Sequence, residues 1–303
     1  MKNKLLSKFT VLLLMIVFFI FNLYGNRAIS NEMVFVEGGT FTSLDYDWED
    51  EEYVSTDYII TLSSFYMSKY EITQSEWETV MTGNNNGISA NPSITKDNID
   101  MDNPVDFVSW FDSIVFCNRK SIMENLTPVY VKHGQTDPDL WGNIPVSRDE
   151  ANDLEWIYLT INLSANGYRL PTDMEWEWAA RGGLIAQQSG TFYTPYAGSD
   201  TVDTVAWYRD NSQNRTHPVG SKSPNELGLF DMTGNLWEWC WDWLSLDLSG
   251  THTNPLGANK GLTRILRGGS WYQKSTDCII PFRVSGYPES RGSDLGFRLV
   301  RNQ

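Results

Sequence analysis

The chain has 303 residues, 41% of them hydrophobic and 14% aromatic, with a formal net charge of −15. A surface this acidic repels nucleic-acid backbones and so disfavours nucleic-acid partners. Three cysteines without a CxxC, and three histidines without an HExxH, exclude a dense disulfide scaffold and a zinc centre of the usual kind.

Residues 1–30 open with Lys2, Lys4 and Lys8, followed by an apolar run from Phe9 to Phe21. That is the layout of a secretory signal peptide, with the small residues Ala28 and Ser30 placed for cleavage before Asn31. The run is shorter than the roughly 20 residues of a spanning helix, so the expectation is an exported chain, periplasmic, surface-held or secreted, with no membrane segment after cleavage. The working domain is then residues 31–303.

MVFVEGGTFT at 33–42 reads as a strand, a Gly-Gly turn and more strand. The acidic run at 45–57 reads as a solvated loop. Three helices are marked by capping pairs: Thr73 with Glu76, Ser109 with Asp112, and Thr172 with Glu175, the last helix closed by Gly182 and Gly183. On the second helix Trp110, Ile114, Cys117 and Ile122 lie near one face, so Cys117 is expected to be buried. From Pro195 to Asn225 neither helical nor strand period is clear. The fold class is α+β: loop-rich, with three helices, short antiparallel strands and a core of Trp and Tyr.

The stretch DMTGNLWEWCWDW at 231–243 alternates tryptophans with Glu238, Cys240 and Asp242. In an extended segment this places the rings on one face and the acids on the other. Asp231 to Asn235 has turn chemistry, and such a turn aims carbonyls inward. Asp231 and Glu238 then either complete an oxygen cage for a hard cation such as calcium, or Glu238 pairs with a buried arginine, Arg267, Arg283 or Arg298. Further on, Ile265–Arg267 and Phe297–Val300 read as strands. Cys278 is a nucleophile only if something lowers its pKa, and otherwise a small buried hydrophobe. No GxGxxG, P-loop or GxSxG occurs.

YEITQSEW, NPVDFVSWFDSIVFCN, YRLPTDMEWEWAARGG, GLFDMTGNLWEWCWDW, RILRGGSW and DLGFRLVR follow one another in an order that resembles the sulfatase-modifying factor family, which includes the formylglycine-generating enzymes. The resemblance covers nearly all of residues 33–301. It implies a C-type-lectin-like fold. It also implies a calcium site formed by the side chains of Asp231 and Glu238 with the carbonyls of Gly234 and Leu236. A second calcium site of the enzymes falls near Val205–Tyr208, where Trp207 replaces an asparagine ligand. The enzymes hold copper between two cysteines five residues apart. Here the second is Cys278, but Gln273 stands at the first position, and an amide oxygen is a hard, neutral and weak ligand for Cu(I). Ser270 and Trp237 keep pocket positions. Cys117 lacks its disulfide partner, whose place is taken by Leu299.

Two functions follow. One is a non-catalytic protein binding a protein or carbohydrate ligand through a C-terminal loop surface that includes Tyr272, Gln273, Lys274, Tyr287, Glu289 and Arg291. The other is a copper- and oxygen-dependent formylglycine-generating oxidase that uses Cys278 and Ser270. The loss of the first cysteine favours binding.

Overall fold

The three capped helices begin where their caps stand. In the computed structural model, which describes residues 32–47, 52–93, 100–153, 155–245 and 249–303, Thr73 accepts a hydrogen bond from the Glu76 backbone and starts the helix Gln74–Met81. Ser109 and Asp112 exchange both bonds of a capping box ahead of the helix Trp110–Met123. Thr172 and Glu175 do the same for Asp173–Ala180. Each cap satisfies amide groups that would otherwise be orphaned at a buried helix start. Gly182, at φ 82°, ends the third helix, whereas Gly183 begins a further short helix, Gly183–Ser189. Arg148–Asp153 and Val202–Val205 are additional short helices. On the second helix Trp110, Ile114 and Cys117 are fully buried, but Ile122 is exposed, because the helix end turns from the core.

The expected signal peptide lies outside the described residues. The acidic run is not a loop throughout: Gly39–Asp47 and Glu52–Leu62 are antiparallel strands, with Asp45 opposite Val54 and Asp47 opposite Glu52. Its middle, residues 48–51, also lies outside the described residues.

Two four-stranded sheets organise the domain. In the first, Met33–Val36 pairs with Phe65–Ser68, which pairs with Val300–Asn302, which pairs with Tyr168–Arg169. The second runs Arg283–Gly286, Arg264–Arg267, Trp237–Trp243 and Leu295–Gly296. Its last strand joins Trp237 and Glu238 in parallel, an exception to the expected antiparallel pairing. The expected strand Phe297–Val300 is broken: Leu295–Gly296 and Val300–Asn302 belong to different sheets, and residues 297–299 carry the chain between them.

Strand Trp237–Trp243 is buried at every position. Trp237, Trp239 and Trp241 face one core cluster, shared with Trp110, Phe111 and Ile114 of the second helix. Cys240 faces another, shared with Met174, Trp176 and Trp178 of the third helix. With core on both faces, the acids of this strand have no route to solvent and must find partners inside the protein.

Candidate functional site

Those partners are found for each acid. Arg298 Nη2 donates to Glu238 Oε1 at 2.7 Å and Arg298 Nε donates to Oε2 at 2.7 Å. Trp176 Nε1 donates to the same Oε2 at 2.7 Å. Asp242 accepts from the backbone N–H of Asp173 at the start of the third helix, at 2.9 Å. Arg267 spans the neighbouring carboxylates Asp173 and Glu177. Of the three arginines the spacing left open for Glu238, the structure selects Arg298.

The turn before the strand is held by backbone geometry. Asp231, Gly234 and Asn235 all have positive φ (55°, 76° and 62°). A Cβ on Gly234 would stand 2.3 Å from the Trp207 carbonyl oxygen, so no other residue fits. Asp231 accepts from the Gly220 N–H at 2.7 Å, and Glu71 accepts from Asn235 Nδ2 at 2.7 Å and from the Leu236 N–H at 3.0 Å. Burial, followed by the charges of Asp231 and Glu238, pushes Glu71 well above the usual carboxylate range. Burial pushes Asp231 up to about 6.

Of the calcium cradle implied by Asp231, Gly234, Leu236 and Glu238, the Glu238 carboxylate is the member already paired, with Arg298. Both oxygens of Glu238 face a guanidinium fork, and a cation beside them would stand against Arg298. Among the described residues no group of three or more His, Cys, Asp or Glu is disposed to hold a metal ion.

Cys278 ends the short 3-10 turn Ser275–Cys278 and is completely buried beside Ala206 and Tyr208. Gly269, at φ 76°, lets the chain pass close by: a Cβ there would stand 2.4 Å from the Cys278 sulfur. Burial, with a smaller contribution from the Asp277 charge, pushes the thiol up to about 12. The enclosed sulfur is closed to solvent and to an approaching substrate. Ser270 is buried, and its hydroxyl accepts from the Tyr272 N–H at 3.4 Å. Gln273 is tied by its backbone, donating to Ser270 and accepting from Arg209 at 2.9 Å. One thiol and one amide are a poor donor pair for Cu(I), which favours two thiolates. Cys117 and Cys240 are buried free thiols as well.

The expected binding surface is assembled only in part. Trp271 Nε1 donates to the Ser293 carbonyl at 2.9 Å and stitches the 270–278 loop to the 287–294 loop. Tyr272 and Tyr287 are 59% and 49% exposed, and Lys274 is exposed beside Tyr272. Gln273 is half-buried. Arg291 turns inward, with Nε 2.8 Å and Nη2 3.1 Å from the Asp112 carboxylate. Glu289 is half-buried, and its Oε2 is enclosed without a partner among the described residues. The surface gains a neighbour that no sequence period announced: Trp207 stacks on His217 with ring centroids 3.8 Å apart, and Lys222 lies 4.1 Å over Trp207. The Arg209–Gln273 backbone bond joins this segment to the loop.

Residues 23–303 match the family model of the sulfatase-modifying factor enzyme 1-like domain. Chaperone protein LppX of Paenibacillus barcinonensis is 36% identical over 297 residues, a match covering 92% of this chain and 92% of the relative. The formylglycine-generating enzyme of Streptomyces coelicolor is 37% identical over 155 residues, but that match covers 45% of this chain and 47% of the enzyme. Among solved structures, Treponema denticola variable protein 1 superposes with a TM-score of 0.73 at 31% identity, covering 91% of this chain and 97% of that one.

Proposed function

Since this chain belongs to the sulfatase-modifying factor enzyme 1-like family and has its C-type-lectin-like fold, we propose that it is an exported, non-catalytic member that holds a polypeptide partner on its C-terminal loop surface. The observation that carries the reading is Cys278: buried and without a second cysteine, since Gln273 occupies that position. The near full-length likeness to a protein named as a chaperone supports it. Tyr272, Lys274 and Tyr287 supply the contact, aromatic side chains giving large amphipathic area at low entropic cost. The run Phe9–Phe21 supports export.

The test is aggregation of a chemically denatured reporter enzyme on dilution, followed by light scattering. The native chain is expected to suppress scattering in proportion to its concentration, and Tyr272→Ser with Tyr287→Ser to lose most of that effect. No suppression by the native chain would refute the reading. The half-length likeness to a formylglycine-generating enzyme gives the oxidase as the second reading. With Cu(I), oxygen and a cysteine peptide, mass spectrometry is expected to show no aldehyde from the native chain. An aldehyde product there would make Cys278 sufficient and reverse the conclusion.

A further inference from the structure

A cavity of about 700 Å³ opens on the side of the domain where the second helix begins. Its walls come from the loop after the first helix (Asn86 to Pro92), the start of the second helix (Phe107, Asp112), the segment Asn143–Val146, Glu150 and Arg291. The volume lies within the range of small-molecule sites. It is separate from Cys278 and from the exposed faces of Tyr272 and Lys274, none of which lines it.

The walls set the chemistry of an occupant. Asp112 and Arg291 pair with each other, so their charges cancel. Glu150 gives one oxygen to the Val146 N–H at 2.9 Å. Among the described residues no unpaired cation remains on the wall to recruit a phosphate or sulfate, and the chain as a whole is acidic. What the walls offer is amides. Asn86 is completely buried, and its Nδ2 donates to the carbonyls of Pro138 at 2.7 Å and Gly142 at 2.8 Å. That fixes the amide so that Oδ1 is an acceptor, and this oxygen has no partner among the described residues. That oxygen is itself enclosed, so Asn86 braces the cavity wall and its exposed neighbours are left to make contact. Asn91 and Asn143 add exposed amides, each both donor and acceptor.

Among these polar groups stand Ile88, Ile144 and the ring of Phe107. Phe107 has a φ of 60°, a left-handed conformation rare for a bulky residue. Its N–H donates to Gly292 at 2.9 Å, which holds the strained residue in place. Such strain concentrates at sites that bind.

We propose that this cavity binds a neutral saccharide, with hydroxyl groups exchanging hydrogen bonds with Asn91 and Asn143 and a sugar face resting on Phe107. Hydroxyls both donate and accept, as side-chain amides do, and the C–H face of a pyranose suits an aromatic ring. A peptide is the poorer fit: no lining residue belongs to a strand, so there is no sheet edge for an extended backbone to join. The cavity shares Arg291 with the C-terminal loops, but none of Tyr272, Lys274 and Tyr287 lines it.

The experiment is a glycan array carrying neutral and acidic oligosaccharides, probed with the native chain, with Asn91→Ala/Asn143→Ala and with Phe107→Gly, followed by titration calorimetry on the best neutral glycan. Neutral glycans are expected to bind, and both variants to weaken binding at least about tenfold. Asn91 and Asn143 are exposed, so the double variant keeps the fold, which a thermal melt will check. Tyr272→Ser is expected to leave glycan binding unchanged, which separates this site from the surface. Retention of acidic glycans only, of none, or of neutral glycans equally by all variants would overturn the proposal.

Discussion

At the scale of single residues, burial decides which acids and bases are worth having. Glu238 and Arg298 both have fully buried side chains and meet as a fork. Replacing a buried ion pair as a whole is far less harmful than stranding one member. Arg298→Met is therefore expected to lower unfolding free energy in urea by about 3–5 kcal/mol, and Glu238→Met with Arg298→Met to lower it by less. Because Arg298 already neutralises Glu238, dialysis against EDTA is expected to leave the melting temperature unchanged. A rise of several degrees on adding calcium would show that the pair gives way to the ion. Asp242 supplies a pH signature. Burial, then the charge of Asp173, pushes its carboxyl up to about 8; Glu175 pushes the same way, while the Asp173 N–H and Arg264 oppose. The folded protein thus binds a proton at Asp242 that the unfolded chain has lost above about pH 4, so stability falls as pH rises from about 4 to about 8. Asp173, held low by Arg267 and Arg283 against its own burial, acts in the opposite sense only below about pH 4. Urea unfolding across pH 5–8 is expected to show that decline, with a shallower slope for Asp242→Asn.

At the scale of elements, the sequence announced what local chemistry controls. Ser109, Asp112, Thr172 and Glu175 are capping-box residues in the sequence and in the structure. Ser109→Ala is expected to cost about 1 kcal/mol by chemical denaturation, the usual loss for a cap. Ser147 and Glu150 carry the same signature, and Ser147 Oγ does accept from the Glu150 N–H at 3.3 Å, so the helix Arg148–Asp153 was legible by the rule that located the others. The alternation of Trp237–Trp243 correctly separates rings from acids. It does not reveal that the acidic face is also core, because that face is covered by Trp176 and Arg298 from distant parts of the chain. The strand break at Phe297–Leu299 was equally hidden, since two sheets claim the flanking residues and no local period records it. Of the expected binding residues, Tyr272, Lys274 and Tyr287 are at the surface, whereas Arg291 is drawn in by Asp112 of the second helix, a partner 179 positions away.

At the scale of the molecule, three thiols are enclosed by three different surroundings: Cys117 in one large core cluster, Cys240 in the other, and Cys278 in a small one. A thiol reagent applied to the native protein at neutral pH is therefore expected to label none of them, and to label all three in denaturant. Rapid labelling of Cys278 alone would mean that its loop opens without the rest of the fold, and would reopen the case for chemistry there. The sites differ in the same way as the elements. The family motifs identified the scaffold, but the cavity beside Phe107 is assembled from five separated segments and has no motif of its own.

The first sheet has a consequence for how the molecule is made. Its neighbours Phe65–Ser68 and Val300–Asn302 are far apart in the chain, and Arg298, the counter-charge of Glu238, stands just before the second of them. What is synthesised later thus supplies both a strand of the sheet and the charge that the core has been waiting for. A chain still being made holds Glu238 without its partner and Phe65–Ser68 without its neighbour until Arg298 and Val300–Asn302 have followed.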